Sequence, residues 1–152
     1  MKRPILLAIA FTLTAGTSVG LTYAEDTASC PSRVKEAIKK AHPGSTMRSC
    51  KEENDKGTIQ FEVKLKTPEG RKLEVDVRPD GMVLLTEEEI AVAAIPPAVS
   101  AAFAARYPAA KATRAEKQTK PDDKVDYELA FTAKGKKMES TFNEKGSFVS
   151  EE

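Results

Sequence analysis

Val34-Lys35-Glu36-Ala37-Ile38-Lys39-Lys40-Ala41-His42-Pro43-Gly44 returns sixty-five residues later as Val99-Ser100-Ala101-Ala102-Phe103-Ala104-Ala105-Arg106-Tyr107-Pro108-Ala109. In the first copy Val34, Ala37, Ile38 and Ala41 keep the i, i+3, i+4, i+7 spacing of a helix with one apolar stripe. Val99, Ala102, Phe103 and then Tyr107 make the stripe of the second. Proline stops both, because it cannot continue the helical hydrogen-bond ladder and biases the residue before it away from helix.

The echo continues downstream. Phe61, Val63 and Leu65 answer to Tyr127, Leu129 and Phe131, with one residue of slippage. Gly70, Leu73, Val77 and Gly81 answer to Gly135, Met138, Phe142 and Gly146. A long period that retains both helix-spaced and strand-spaced positions predicts a duplicated unit. The expected fold class is α+β: two tandem repeats, each one helix plus about four antiparallel strands. The boundaries read as repeat one at 31–86, a linker at 87–96 and repeat two at 97–152.

The strand signals are alternations of apolar and polar residues, as in half-buried antiparallel strands. Ile59, Phe61, Val63 and Leu65 alternate with Gln60, Glu62, Lys64 and Lys66; Leu73, Val75 and Val77 alternate with Glu74, Asp76 and Arg78. Shorter strands are expected at 46–51 and from Val83, with counterparts at 111–117, 126–133, 138–142 and 147–150. Thr67-Pro68-Glu69-Gly70, Pro79-Asp80-Gly81 and Asn143-Glu144-Lys145-Gly146 are turns by composition. Ser32 is the expected cap of the first helix. Ile90, Val92 and Ile95 make the connection one that packs along the body.

Residues 1–24 read as a cleaved secretory signal: Lys2 and Arg3, an apolar run from Ile5 to Leu13, then Thr22-Tyr23-Ala24 as the cleavage site. The run is too short to span a bilayer. Cleavage leaves 128 of the 152 residues, with 22 basic against 23 acidic side chains, a net charge of −1. That balance gives no electrostatic case for nucleic acid or an anionic membrane. A periplasmic or secreted location, without stable membrane insertion, follows. In such a compartment the two cysteines, Cys30 and Cys50, read as a disulfide. The rival use is a soft-metal site made of Cys50, Met47 and His42.

No catalytic constellation stands out. The only histidine, His42, sits beside a helix-ending proline. Glu87-Glu88-Glu89 and Asp122-Asp123 lack the alternating ligand spacing of a calcium loop, and there is no phosphate loop, zinc quartet or haem motif. The expectation is a non-enzymatic chain with no cofactor, no catalytic residue and no metal ligand. For partner binding, Tyr107 and Tyr127 are the candidate exposed anchors, although a core would claim both. The outer sheet face of Gln60, Glu62, Lys64, Glu74, Asp76, Glu128, Thr132, Glu139 and Thr141 is polar and mixed, suited to a weak or polar contact.

The second half carries a family resemblance. Ile95-Pro96-Pro97-Ala98-Val99, Ala102-Phe103, Arg106-Tyr107-Pro108-Ala109-Ala110-Lys111, Tyr127-Glu128-Leu129-Ala130-Phe131, Gly135-Lys136-Lys137 and Thr141-Phe142-Asn143-Glu144-Lys145-Gly146 resemble the PepSY-like domain family, described as similar to β-lactamase inhibitor proteins. The first half matches more loosely, at Pro31, Val34, Ile38, Pro43-Gly44, Phe61, Gly70 and Asp80-Gly81. Ala109 departs from the glycine common at that point. The resemblance implies an exported α+β module and an eight-stranded sheet built from two repeats. By analogy of fold it implies binding or inhibition of an exported protein such as a hydrolase or protease. The alternative function is a periplasmic small-ligand or metal-binding protein.

Overall fold

Alternation of apolar and polar residues dominates this chain, and most of it becomes strand. The computed structural model describes residues 27, 29–55 and 57–152; the expected signal segment 1–24 lies outside them. The elements run α1 (Ser32–Ala41), β1 (Thr46–Asp55), β2 (Thr58–Lys66), β3 (Lys72–Val77), β4 (Val83–Ile90), a 3-10 turn (Val92–Ala94), α2 (Pro97–Arg106), β5 (Ala112–Thr119), β6 (Val125–Ala133), β7 (Lys136–Asn143) and β8 (Phe148–Glu151). All eight strands form a single antiparallel sheet in the order of the sequence.

This corrects the expected fold class. Among the described residues the architecture is one eight-stranded antiparallel sheet carrying two α-helices, not two tandem repeats of a helix plus four strands. The ladder between β4 and β5 overturns that expectation: Thr86, Glu87, Glu88, Glu89 and Ile90 pair with Thr119, Gln118, Lys117, Glu116 and Ala115. A four-stranded piece ending at β4 would leave an edge of unpaired N–H and C=O groups, and pairing with β5 satisfies them. Glu87 to Ile90, expected in the connection, therefore belong to a strand. Val92 and Ile95 pack against the core as the connection turns back.

One face of the sheet is covered by the helices. Under α1, Val34 and Ile38 meet Cys50, Phe61, Val63, Leu65, Leu73, Val75 and Val77. Under α2, Val99 and Phe103 meet Ala115, Tyr127, Leu129, Phe131 and Phe142. Phe103 stands edge-on to Phe131 at 5.1 Å and to Phe142 at 6.5 Å, a geometry favoured by ring quadrupoles. Two turns reach up to hold the helices. Gly146 lies at φ +81°, and a Cβ there would fall 2.6 Å from the Ala98 carbonyl oxygen in the first turn of α2. A Cβ on Gly81 would likewise fall 3.1 Å from the Arg33 carbonyl oxygen of α1.

Two local expectations change, at Ser32 and Ile59, and one aromatic lies at the surface. Ser32 is the first helical residue and makes no capping hydrogen bond; Pro31 precedes it. Ile59 is 39% exposed near the tip of the β1–β2 hairpin. Phe148 is 42% exposed, with the Arg106 guanidinium stacked 3.7 Å over its ring, a cation–π contact on the surface of a short edge strand.

Candidate functional site

Strand register builds the uncovered face. Directly opposed residues of an antiparallel pair point to the same side. Glu62 opposes Asp76, Glu74 opposes Glu87, Glu87 opposes Gln118 and Glu89 opposes Glu116, Gln118 opposes Asp126 and Glu116 opposes Glu128, and Ala130 opposes Glu139. The result is a band of carboxylates across the middle of the sheet, on the side away from both helices.

Few cations balance it. Lys64 bridges Glu74 at 3.0 Å and Glu62 at 3.3 Å, Arg114 bridges Glu116 at 3.1 Å and Glu139 at 2.9 Å, and at the margins Lys120 pairs with Asp126 and Lys72 reaches Glu89 at 4.0 Å. Gln118 spends both hydrogens of its amide here, donating to Glu87 at 2.8 Å and to Glu128 at 3.1 Å. The carboxyl of Glu128 is pushed up to about 7, first by burial and then by Glu139, Glu87 and Glu116, against the pull of Arg114. Asp76 is pushed up to about 6 by burial, then by Glu62, Glu53, Glu74 and Asp55. Burial also raises Glu87 and Glu116, offset in part by Gln118 at the first and by Arg114 at the second. Shifts of this kind concentrate where a surface is organised for something other than stability.

Sequence reasoning placed Glu62, Glu74, Asp76, Glu128 and Glu139 on this face. It missed Glu87, Glu116 and Gln118. Glu87 falls in the segment that reads as a linker, and the side occupied by Glu116 and Gln118 depends on pairing register.

The two tyrosines part company. Tyr127 is 8% exposed and sits in the core under α2, where burial raises its phenol; it is not an exposed anchor. Tyr107 follows α2 with its ring 4.4 Å from Phe131. Its hydroxyl donates to Ser140 Oγ at 3.2 Å, meets the Glu151 carboxylate and accepts from Arg106 Nε at 3.1 Å. It lines a groove of about 500 Å³ with Arg106, Ala110, Ala133, Lys134 and Met138.

Cys30 and Cys50 are bonded to each other, tying the segment before α1 to β1. That removes Cys50 from any soft-metal set with Met47 and His42. Met47 packs on the core under α1. His42 ends that helix, where burial lowers its imidazole. Among the described residues no group of three or more His, Cys, Asp or Glu side chains is arranged to hold a metal ion, and no helix is long and apolar enough to cross a membrane.

The continuous sheet has relatives among solved structures. A BLIP-like protein of Bacteroides fragilis superposes with a TM-score of 0.64 at 25% identity, over 80% of this chain and 85% of that one. The chain has the BLIP-like fold. A DUF2874 family protein of Bacteroides uniformis shares this BLIP-like architecture, with a TM-score of 0.65 at 18% identity over 80% and 88% of the two chains. So does a Bacteroides eggerthii protein described as a periplasmic candidate, at 0.65 and 20% over 80% and 87%. No protein-family model matches the chain, and no curated protein matches it significantly in sequence.

Proposed function

We propose that this chain is an exported, non-enzymatic binding module whose uncovered sheet face docks on a cationic patch of another exported protein. The observation that carries the reading is the band of half-buried carboxylates with raised affinity for protons. In the free protein their charges are poorly solvated and repel one another. A partner's lysines or arginines would relieve both penalties, so part of the binding free energy is stored in the unbound surface. A flat polar face with few aromatics suits a contact steered by charge more than a hydrophobic anchor. The BLIP-like fold and the PepSY-like motifs support the finer reading, in which the partner is a hydrolase or protease and docking modulates or inhibits it.

The test is capture from periplasmic extract by immobilised protein spanning 25–152. The expected result is a hydrolase that elects the parent over the triple variant E87Q/E116Q/E128Q, elutes with moderate salt and loses turnover when the soluble module is added. Capture indifferent to salt and to the three substitutions would overturn the docking face. Captured enzyme whose turnover is unchanged would overturn inhibition alone.

A further inference from the structure

The same face has a corner of opposite sign. A groove of about 370 Å³ opens at the turn end of the β2–β3 hairpin, lined by Arg48, Lys64, Lys66, Lys72 and Glu74 together with the turn at Gly70. Four cations line it beside one carboxylate, and of these Lys64 is already paired with Glu74 and Glu62.

Two details of the register make this more than a wet lysine surface. Lys66 is paired directly opposite Lys72, the last rung of the β2–β3 ladder. Like charges directly opposed on adjacent strands are destabilising, since their stems leave the backbone about 5 Å apart. The rung is held in place, because Thr67 N–H donates to the Arg71 carbonyl at 2.9 Å and closes the turn behind it. Beside this rung the β1–β2 register slips between Met47 and Ser49, an irregularity that places Arg48 at the groove. A bulge of this sort re-aims a side chain.

The anions nearby do not neutralise the rung. Glu74 is engaged by Lys64, whose ammonium is held up first by that hydrogen bond. Lys72 reaches Glu89 only at 4.0 Å, with both side chains largely in solvent. Among the described residues Lys66 has no carboxylate partner.

We propose that this groove binds a phosphate-class oxyanion, clamped between Lys66 and Lys72 and flanked by Arg48 and Lys64. A dianion matches two opposed ammonium groups. The groove is larger than one phosphate, so the aliphatic stems of the lysines would line the remainder against the organic part of a phosphate ester. Such an ester is either a soluble metabolite or the headgroup of a membrane lipid. The groove borders the acidic band and shares Lys64 and Glu74 with it, while the clamping pair Lys66 and Lys72 lies at its corner.

The experiment compares the parent with K66Q/K72Q and with K134Q/K137Q, which removes the same charge from a different edge of the sheet. Each is melted with and without inorganic phosphate and glycerol phosphate, and pelleted with phosphatidylcholine vesicles with and without phosphatidylglycerol. Without ligand, K66Q/K72Q should melt at or above the parent, because a repulsion has been removed. Phosphate compounds should raise the melting temperature of the parent and of K134Q/K137Q, with about tenfold weaker binding in K66Q/K72Q. Stabilisation by the soluble esters without pelleting identifies a metabolite site; pelleting on phosphatidylglycerol that K66Q/K72Q loses and K134Q/K137Q keeps identifies a headgroup site. The proposal fails if neither probe distinguishes the two double variants, or if K66Q/K72Q melts well below the parent, which would make the lysines structural.

Discussion

Replacing Glu128 by Gln tests the electrostatics of the sheet face directly. In the folded chain this carboxyl titrates at about 7, against an ordinary value of 4.5. The native state therefore holds the proton more tightly than the unfolded chain does. Between those values the folded protein binds more protons, and stability falls as pH rises; the penalty is complete above the folded value and absent below the unfolded one. Each unit is worth about 1.4 kcal/mol, which would give about 3 kcal/mol, but the group is partly exposed and solvent screening reduces this to about 1.5 kcal/mol. For a body of this size that is about 5 °C in melting temperature. Wild-type melts alone mix this with other groups. Asp76, raised to about 6, acts in the same sense. His42 acts in the opposite sense, because burial favours its neutral form and stabilises the fold as pH climbs toward 6.5. The difference between wild type and E128Q cancels both to first order. Thermal melts followed by circular dichroism should show the variant equal to the parent at pH 4.5 and about 5 °C more stable at pH 8. A difference that does not change with pH, or a variant less stable at pH 8, would refute the account of this face.

Other parts of the structure give their own tests. Reducing the Cys30–Cys50 bridge, or replacing both residues with Ser, should lower stability by about 3 kcal/mol for a loop of this length, read from urea midpoints. Gly146→Ala and Gly135→Ala both place a side chain at positive φ, but only the first drives a Cβ toward the Ala98 carbonyl, while the second meets open space. G135A should cost about 1 kcal/mol of backbone strain, and G146A clearly more, with equal losses counting against the contact described for α2. Leu129→Ala removes a side chain with no exposed surface from the core under α2 and should cost about 3 kcal/mol in chemical denaturation.

The helices and the inward alternation were legible because each is a local pattern. Val34 with Ile38, Val99 with Phe103, and the inward sets at 61–65 and 127–131 follow from periodicity alone. Pairing between distant strands was not legible. The run Glu87-Glu88-Glu89 looks like a solvated connection until Gln118, Lys117 and Glu116 are placed across from it, and nothing local says that they are. The same gap turned a single sheet into two units on paper. Phe148 shows another limit: a four-residue edge strand with one neighbour has too little cover to bury an aromatic. The acidic band was half visible, since the face of Glu128 could be read from alternation while the neighbours that raise its proton affinity could not.

The order of the strands has a kinetic corollary. Six of the seven joints in the sheet are made by residues close in sequence, so their contacts form at little cost in chain entropy. The β4–β5 joint alone must wait for a 21-residue excursion through the 3-10 turn and α2 to come home. Closing that excursion welds the two hydrophobic clusters into one cooperative body, and it is the step at which folding should be slowest.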